Sequence, residues 1–142
     1  MPGETITITG ELATGVGQAT GFTQLDWARA AFMEKLGIDP YPGTVNLLVR
    51  QPAELDSWKK VCRSPATIIR PPRTDWCDAK CYRARIVPKN SSQIDAAIVL
   101  PDVEGYADNQ IELIAPVAVR DTLKLSDGDA VVIEVDIQED EK

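Results

Sequence analysis

Residues Glu4 to Leu12 alternate Thr5, Ile6, Thr7, Ile8, Thr9, a period of two in β-branched residues that predicts a strand with one apolar face. Leu25, Ala28, Phe32 and Leu36 then recur at helical spacing. Thr23 stands as an N-cap with Asp26 three residues on, and Gly37 sits where a C-terminal cap belongs, so a helix is expected over about Gln24 to Leu36. Asp39-Pro40-Tyr41-Pro42-Gly43 reads as a turn, and TVNLLVR, Thr44 to Arg50, as the next strand. Ala53 to Val61 is a short helix after Pro52. Strands follow at Ala66 to Arg70 and Cys81 to Val87, separated by the loop PPRTDWCDAK. Ile94 to Leu100 and Gln110 to Ile114 are apolar strands, and Arg120 to Leu125 is a short helical piece. The turn Ser126-Asp127-Gly128-Asp129 leads into a last strand, Ala130 to Ile137. About seven short strands with regular turn signals predict a mostly β fold, a closed barrel with one main helix and short helical pieces. No linker or repeat divides the chain, so residues 1–142 are expected to form one domain.

Composition narrows the class. The 142 residues are 44% hydrophobic and 26% charged, ordinary values for a globular domain. No apolar run approaches the ~20 residues that span a bilayer, and MPGETITITG lacks a basic-then-apolar leader, so a cytoplasmic protein without membrane contact is expected. The net charge of -7 disfavours a nucleic-acid partner. Acidic residues crowd the end, EVDIQEDEK, which reads as a solvated and flexible tail from about residue 134 to 142. Between Lys59 and Lys89 the chain is locally basic, and a face built from Lys60, Arg63, Arg70, Arg73, Lys80, Arg83 and Arg85 could meet an anionic small molecule.

Candidate chemistry lies in four places. The stretch GELATGVGQATGF has glycines at 10, 15, 17 and 21, but it lacks the Lys-Ser or Lys-Thr pair of a Walker loop, and its G-x-G-x-x-x-G spacing misses the dinucleotide fingerprint. Thr44 and Asn46 are two apart on a predicted strand and share a face; their oxygens are hard neutral donors suited to Mg2+. Glu112, between Ile111 and Leu113, lies either on a solvated outer face or in a pocket where it accepts hydrogen bonds. Arg120 is placed either to bind phosphate or to pair with Asp121 or Glu112. Three cysteines (62, 77 and 81) and no histidine cannot complete a four-ligand zinc site in one chain. Reduced thiols, a Cys77–Cys81 disulfide or a metal shared across a dimer remain open.

Taken in order, GELATGVGQATGF, a helix, LGIDPYPGTVNL, DAAIVLP and IELIAPVAVRDTLKLSDGD resemble the archaeal CTP-dependent riboflavin kinases. The likeness is strong from Gly10 to Leu47 and from Asp95 to Val135 and thin between; LG-x-x-PYPGT-x-N is its most specific part. The resemblance implies a compact cradle-loop β-barrel that transfers the γ-phosphoryl group of CTP to the 5'-hydroxyl of riboflavin, giving FMN and CDP. It implies that Ala13, Thr14, Gly15, Val16, Gly17 and Gln18 wrap the nucleotide, joined by Val117, Ala118, Val119 and Arg120. It further implies Mg2+ on Thr44 and Asn46, and flavin contacts at Glu104 and Glu112. Glycines suit such a cradle because they let backbone amides approach anionic oxygens. The implied partners are CTP/CDP and riboflavin/FMN, and a monomer is expected.

The chain departs from this pattern at Ala19, where another glycine is usual, at Glu104, where threonine is usual, and at Ala118, where some relatives have lysine. Trp76-Cys77 to Cys81 lies outside the pattern. These departures bear on affinity and nucleotide preference more than on fold. Two rivals follow: a flavin- or nucleotide-binding barrel without turnover, and an interaction or DNA-binding barrel, which the acidic charge disfavours.

Overall fold

The computed structural model describes residues 4–14, 25–41, 44–72, 78–89, 92–101 and 109–137. Among the described residues seven strands are present: β1 (Glu4–Ala13), β2 (Val45–Leu48), β3 (Thr67–Ile69), β4 (Ala79–Ile86), β5 (Ile94–Pro101), β6 (Gln110–Ile114) and β7 (Ala130–Ile137). They run in the order β3-β4-β5-β6-β2-β1-β7, and β4 also pairs with β7. That last pairing closes a six-stranded antiparallel barrel, with β3 added outside the ring. The helices are α1 (Asp26–Leu36), α2 (Pro52–Cys62) and the four-residue α3 (Val119–Thr122).

Alternation decides what each strand does. In β1, Ile6, Ile8 and Leu12 are buried in the barrel with Leu47, Ile98, Ile111, Leu113, Ile133 and Val135, while Thr5 and Thr9 do not join that core. Trp58 and Val61 of α2 pack into the same cluster. A second core lies against the outer face, where Ala28, Phe32 and Leu36 of α1 meet Cys81, Ala97, Val99 and Ile114. β5 is therefore covered on both sides, the physical reason for its unbroken run AAIV from Ala96 to Val99.

Gly37 caps α1 in the left-handed region, φ 72°, its amide donating to the Met33 carbonyl at 3.0 Å, as expected. The helix starts later than the sequence pattern suggests: Leu25 is the N-cap residue and supplies no side-chain bond. Thr23 and Gln24 lie outside the described residues. Arg83 adds a cationic cap at the other end, donating to the carbonyls of Leu36 and Lys35 at 3.0 Å each. α2 runs one residue further at each end than expected and equals α1 in length, 11 residues. Its Glu54 accepts the Thr9 amide at 2.7 Å, covering a β1 donor beyond the reach of the short β2 pairing.

Two charge readings are corrected. The basic segment does not build one anion-binding face among the described residues. Five of its seven members disperse to separate partners: Lys60 to Glu4, Arg70 to Asp78, Lys80 to the Cys62 carbonyl, Arg83 to α1 and Arg85 to β7, while Arg73 lies outside the described residues. Nor does a solvated tail begin at residue 134. Glu134 and Asp136 belong to β7, where Arg85 meets Asp136 through two bonds of 2.8 Å and Glu134 at 3.3 Å. Residues 138–142 lie outside the description. No described helix is long and apolar enough to cross a membrane.

Candidate active site

Gly10, the first glycine of the stretch, belongs to β1 rather than to a loop. A Cβ there would meet the Leu47 Cβ at 3.0 Å and the Leu48 carbonyl oxygen at 3.2 Å, so the bare backbone lets β2 come close. That approach sets the register Leu12↔Leu47 and Ala13↔Asn46, and β2 continues it to β6 as Asn46↔Glu112. Ala13, Asn46 and Glu112 thus lie in one row across three strands, facing the same side.

A cleft of about 420 Å³ opens beside this row. Ala13 and Thr14 form one wall, Thr44 and Asn46 another, and Val117 to Arg120 a third. All eight of these sequence-derived candidates therefore share one cavity. Asn46 is only 8% exposed, which rules out a merely solvated strand face. Gly15, Val16, Gly17, Gln18 and Glu104 lie outside the described residues, as do Ala19 and Cys77.

Glu112 does not lie on a solvated outer face, though it is not one of the residues lining the cleft. It is 1% exposed, and its Oε2 accepts the Thr44 hydroxyl at 3.1 Å. Gln110, two residues earlier on β6, donates from Nε2 to the Asn46 Oδ1 at 3.2 Å. Arg120 pairs with neither Asp121 nor Glu112 but with Asp127, Nη2 to Oδ1 at 2.8 Å. The Thr14 hydroxyl donates to the same carboxylate at 2.8 and 3.0 Å. These contacts hold the Asp127 carboxyl below its ordinary range, the Thr14 hydrogen bond first and Arg120 second. The turn is also clipped to β1 by its backbone, Gly128 N to Leu12 O at 2.7 Å and Leu12 N to Asp129 O at 2.9 Å. Asp127 thus ties the mouth of the glycine stretch to the α3 wall.

Sequence reasoning missed Gln110, Asp127 and Tyr41. Gln110 was detectable as the polar partner of Glu112 in the alternation of QIELI. Tyr41 and Val117 line the cleft and are exposed, 50% and 38%, offering apolar surface at its rim. The Tyr41 amide donates to the Ala115 carbonyl at 2.8 Å, which pins the two rim segments together. Cys81 is a free thiol among the described residues, 1% exposed and pushed up to about 12 by burial, while Cys77, its expected partner in a disulfide, lies outside them. No group of three or more His, Cys, Asp or Glu side chains able to hold a metal occurs among the described residues. A cation here would have to share its shell with a ligand. A hydroxyl and a carboxamide beside a roomy cleft fit Mg2+, which keeps most of its shell for waters and phosphate oxygens.

Fold and site together define a small closed barrel with a cleft of about 420 Å³ lined by both polar and apolar side chains. Residues 12–135 match the family model CTP-dep_RFKase, described as Domain of unknown function DUF120. The chain is similar to the riboflavin kinase of Archaeoglobus fulgidus, 37% identical over 134 residues, covering 92% of this chain and 55% of that protein. It is also similar to those of Methanocella arvoryzae, 36% identical with 87% and 54% covered, and Pyrobaculum calidifontis, 34% with 92% and 60%. The chain belongs to this riboflavin kinase family. It spans about half the length of the curated relatives it matches.

Proposed function

We propose that the protein transfers the γ-phosphoryl group of CTP to the 5'-hydroxyl of riboflavin, giving FMN and CDP. The observation that carries this reading is the convergence of Ala13, Thr14, Thr44, Asn46 and Val117 to Arg120 on one cleft, in a chain of this family. Phosphoryl transfer asks mainly for positioning and charge neutralisation, and each wall has a part in that. Thr44 and Asn46 would hold Mg2+, which when bound neutralises phosphate oxygens of the nucleotide. Arg120, anchored by Asp127, sets a guanidinium beside Thr14, just before Gly15 and Gly17 of the glycine stretch. Backbone amides of Gly15 to Gln18 would cradle the triphosphate, and the backbone at Val117 and Ala118 would read the base edge. Glu112 fixes the Thr44 hydroxyl from behind and, with Glu104, would orient the flavin acceptor.

The decisive experiment incubates the protein with riboflavin, Mg2+ and each of the four nucleoside triphosphates, following FMN by chromatography. FMN formation with CTP foremost is the expected result. Riboflavin and nucleotide binding without product would favour a binding barrel instead. Gly17→Val should abolish CTP binding by crowding the phosphates, and unaltered CTP affinity would refute the cradle.

A further inference from the structure

β6 presents two polar side chains on one face, Gln110 and Glu112, and each bonds one of the two polar residues of the β2 segment. Glu112 accepts the hydrogen bond donated by the Thr44 hydroxyl. Gln110 acts differently, because it donates to the oxygen itself. A carboxamide oxygen has two lone pairs; one accepts from Gln110 Nε2 at 3.2 Å. Among the described residues no second donor reaches the Asn46 Oδ1. The bond runs on the diagonal of the ladder, since Gln110 is in register with Leu48 and Asn46 with Glu112. It also couples the two side chains: turning the Asn46 carboxamide alone would set two NH2 groups against each other, so the two amides hold or turn together.

Resting on the metal role read above for Asn46, we propose that Gln110 is a positioning residue of the cation site. It holds the Asn46 carboxamide in one orientation, with a lone pair of Oδ1 kept for the metal. Residues that orient a metal ligand typically influence affinity by tenfold or more, without touching the ion. Gln110 is half-buried, so shortening it opens no cavity in either core.

The test measures Mn2+ binding by electron paramagnetic resonance, with a non-hydrolysable CTP analogue present, in wild type, Gln110→Met, Gln110→Ala and Asn46→Ala. Riboflavin affinity is measured in parallel by fluorescence quenching. Both Gln110 variants should weaken Mn2+ roughly tenfold, with riboflavin affinity within about twofold of wild type. Wild-type Mn2+ affinity in either folded variant overturns the proposal while leaving the kinase reading intact. Asn46→Ala binding Mn2+ as tightly as wild type overturns the metal role itself, and the proposal with it. Equal loss of Mn2+ and riboflavin binding would assign Gln110 to general cleft structure, also against the proposal.

Discussion

Thr44→Val isolates one hydroxyl. Valine keeps the β-branch and nearly the volume of threonine, so backbone preference and packing are preserved. What disappears is the donor at 3.1 Å from a Glu112 carboxylate that is 1% exposed. Removing one partner from a buried polar group costs about 1–3 kcal/mol. With a urea dependence of about 1–3 kcal/mol per molar, a 2 kcal/mol loss moves the unfolding midpoint down by about 1 M at unchanged slope. Thr44→Ser keeps the hydroxyl and loses one methyl, for about 0.8 kcal/mol. The serine variant should also retain Mn2+ binding and FMN formation, while the valine variant loses both by at least about tenfold. Equilibrium urea unfolding and the Mn2+ titration check the two halves separately. A valine variant as stable as wild type, or valine and serine variants indistinguishable in metal binding, would refute the reasoning.

Gly10→Ala should destabilise by about 1–3 kcal/mol, because its Cβ is met at 3.0 Å by Leu47 and at 3.2 Å by strand backbone; thermal unfolding measures this, and a neutral result would mean β2 yields easily. Cys81 should resist iodoacetamide in the folded protein, since burial pushes its thiol up to about 12 from 9.0. A raised folded value means full stability below about pH 9 and a decline above it, at most about 1.4 kcal/mol per pH unit, that Cys81→Ala removes. Rapid native labelling mapped to Cys81 would contradict this. Arg85→Met should cost about 1 kcal/mol at neutral pH after solvent screening, since Arg85 is only partly buried between Asp136 and Glu134. Its hydrogen bonds hold Asp136 below the ordinary 3.8, so that contribution is present above this value and lost as pH falls through the lowered one. Acid titration of both proteins should therefore show the gap closing, and a gap that persists in acid would remove Asp136 as its source.

Local periodicity determined most of the secondary structure in advance. Alternating Thr and Ile made β1, the stripe through Ala28, Phe32 and Leu36 made α1, and Gly37 ended it, because each depends on neighbours within a turn or a pleat. Gln110–Ile114 and Ala130–Ile137 coincide with the expected strands for the same reason. The resemblance in LGIDPYPGTVNL and the segments around it also named Ala13, Thr14, Thr44, Asn46 and Val117 to Arg120 as candidates, and the fold brings these onto one cleft.

What the chain order could not convey is who faces whom. Thr44 and Glu112 are 68 residues apart, Asn46 and Gln110 are 64, and Thr14 and Asp127 are 113. Their meeting depends on strand register and on β4 closing against β7, both properties of the whole ring rather than of any window along it. For that reason the burial of Glu112, the capture of Arg120 by Asp127 and the dispersal of the basic segment emerged only with the tertiary structure. Short-range sterics write the elements into the sequence, whereas the cleft exists only once distant strands are brought into register.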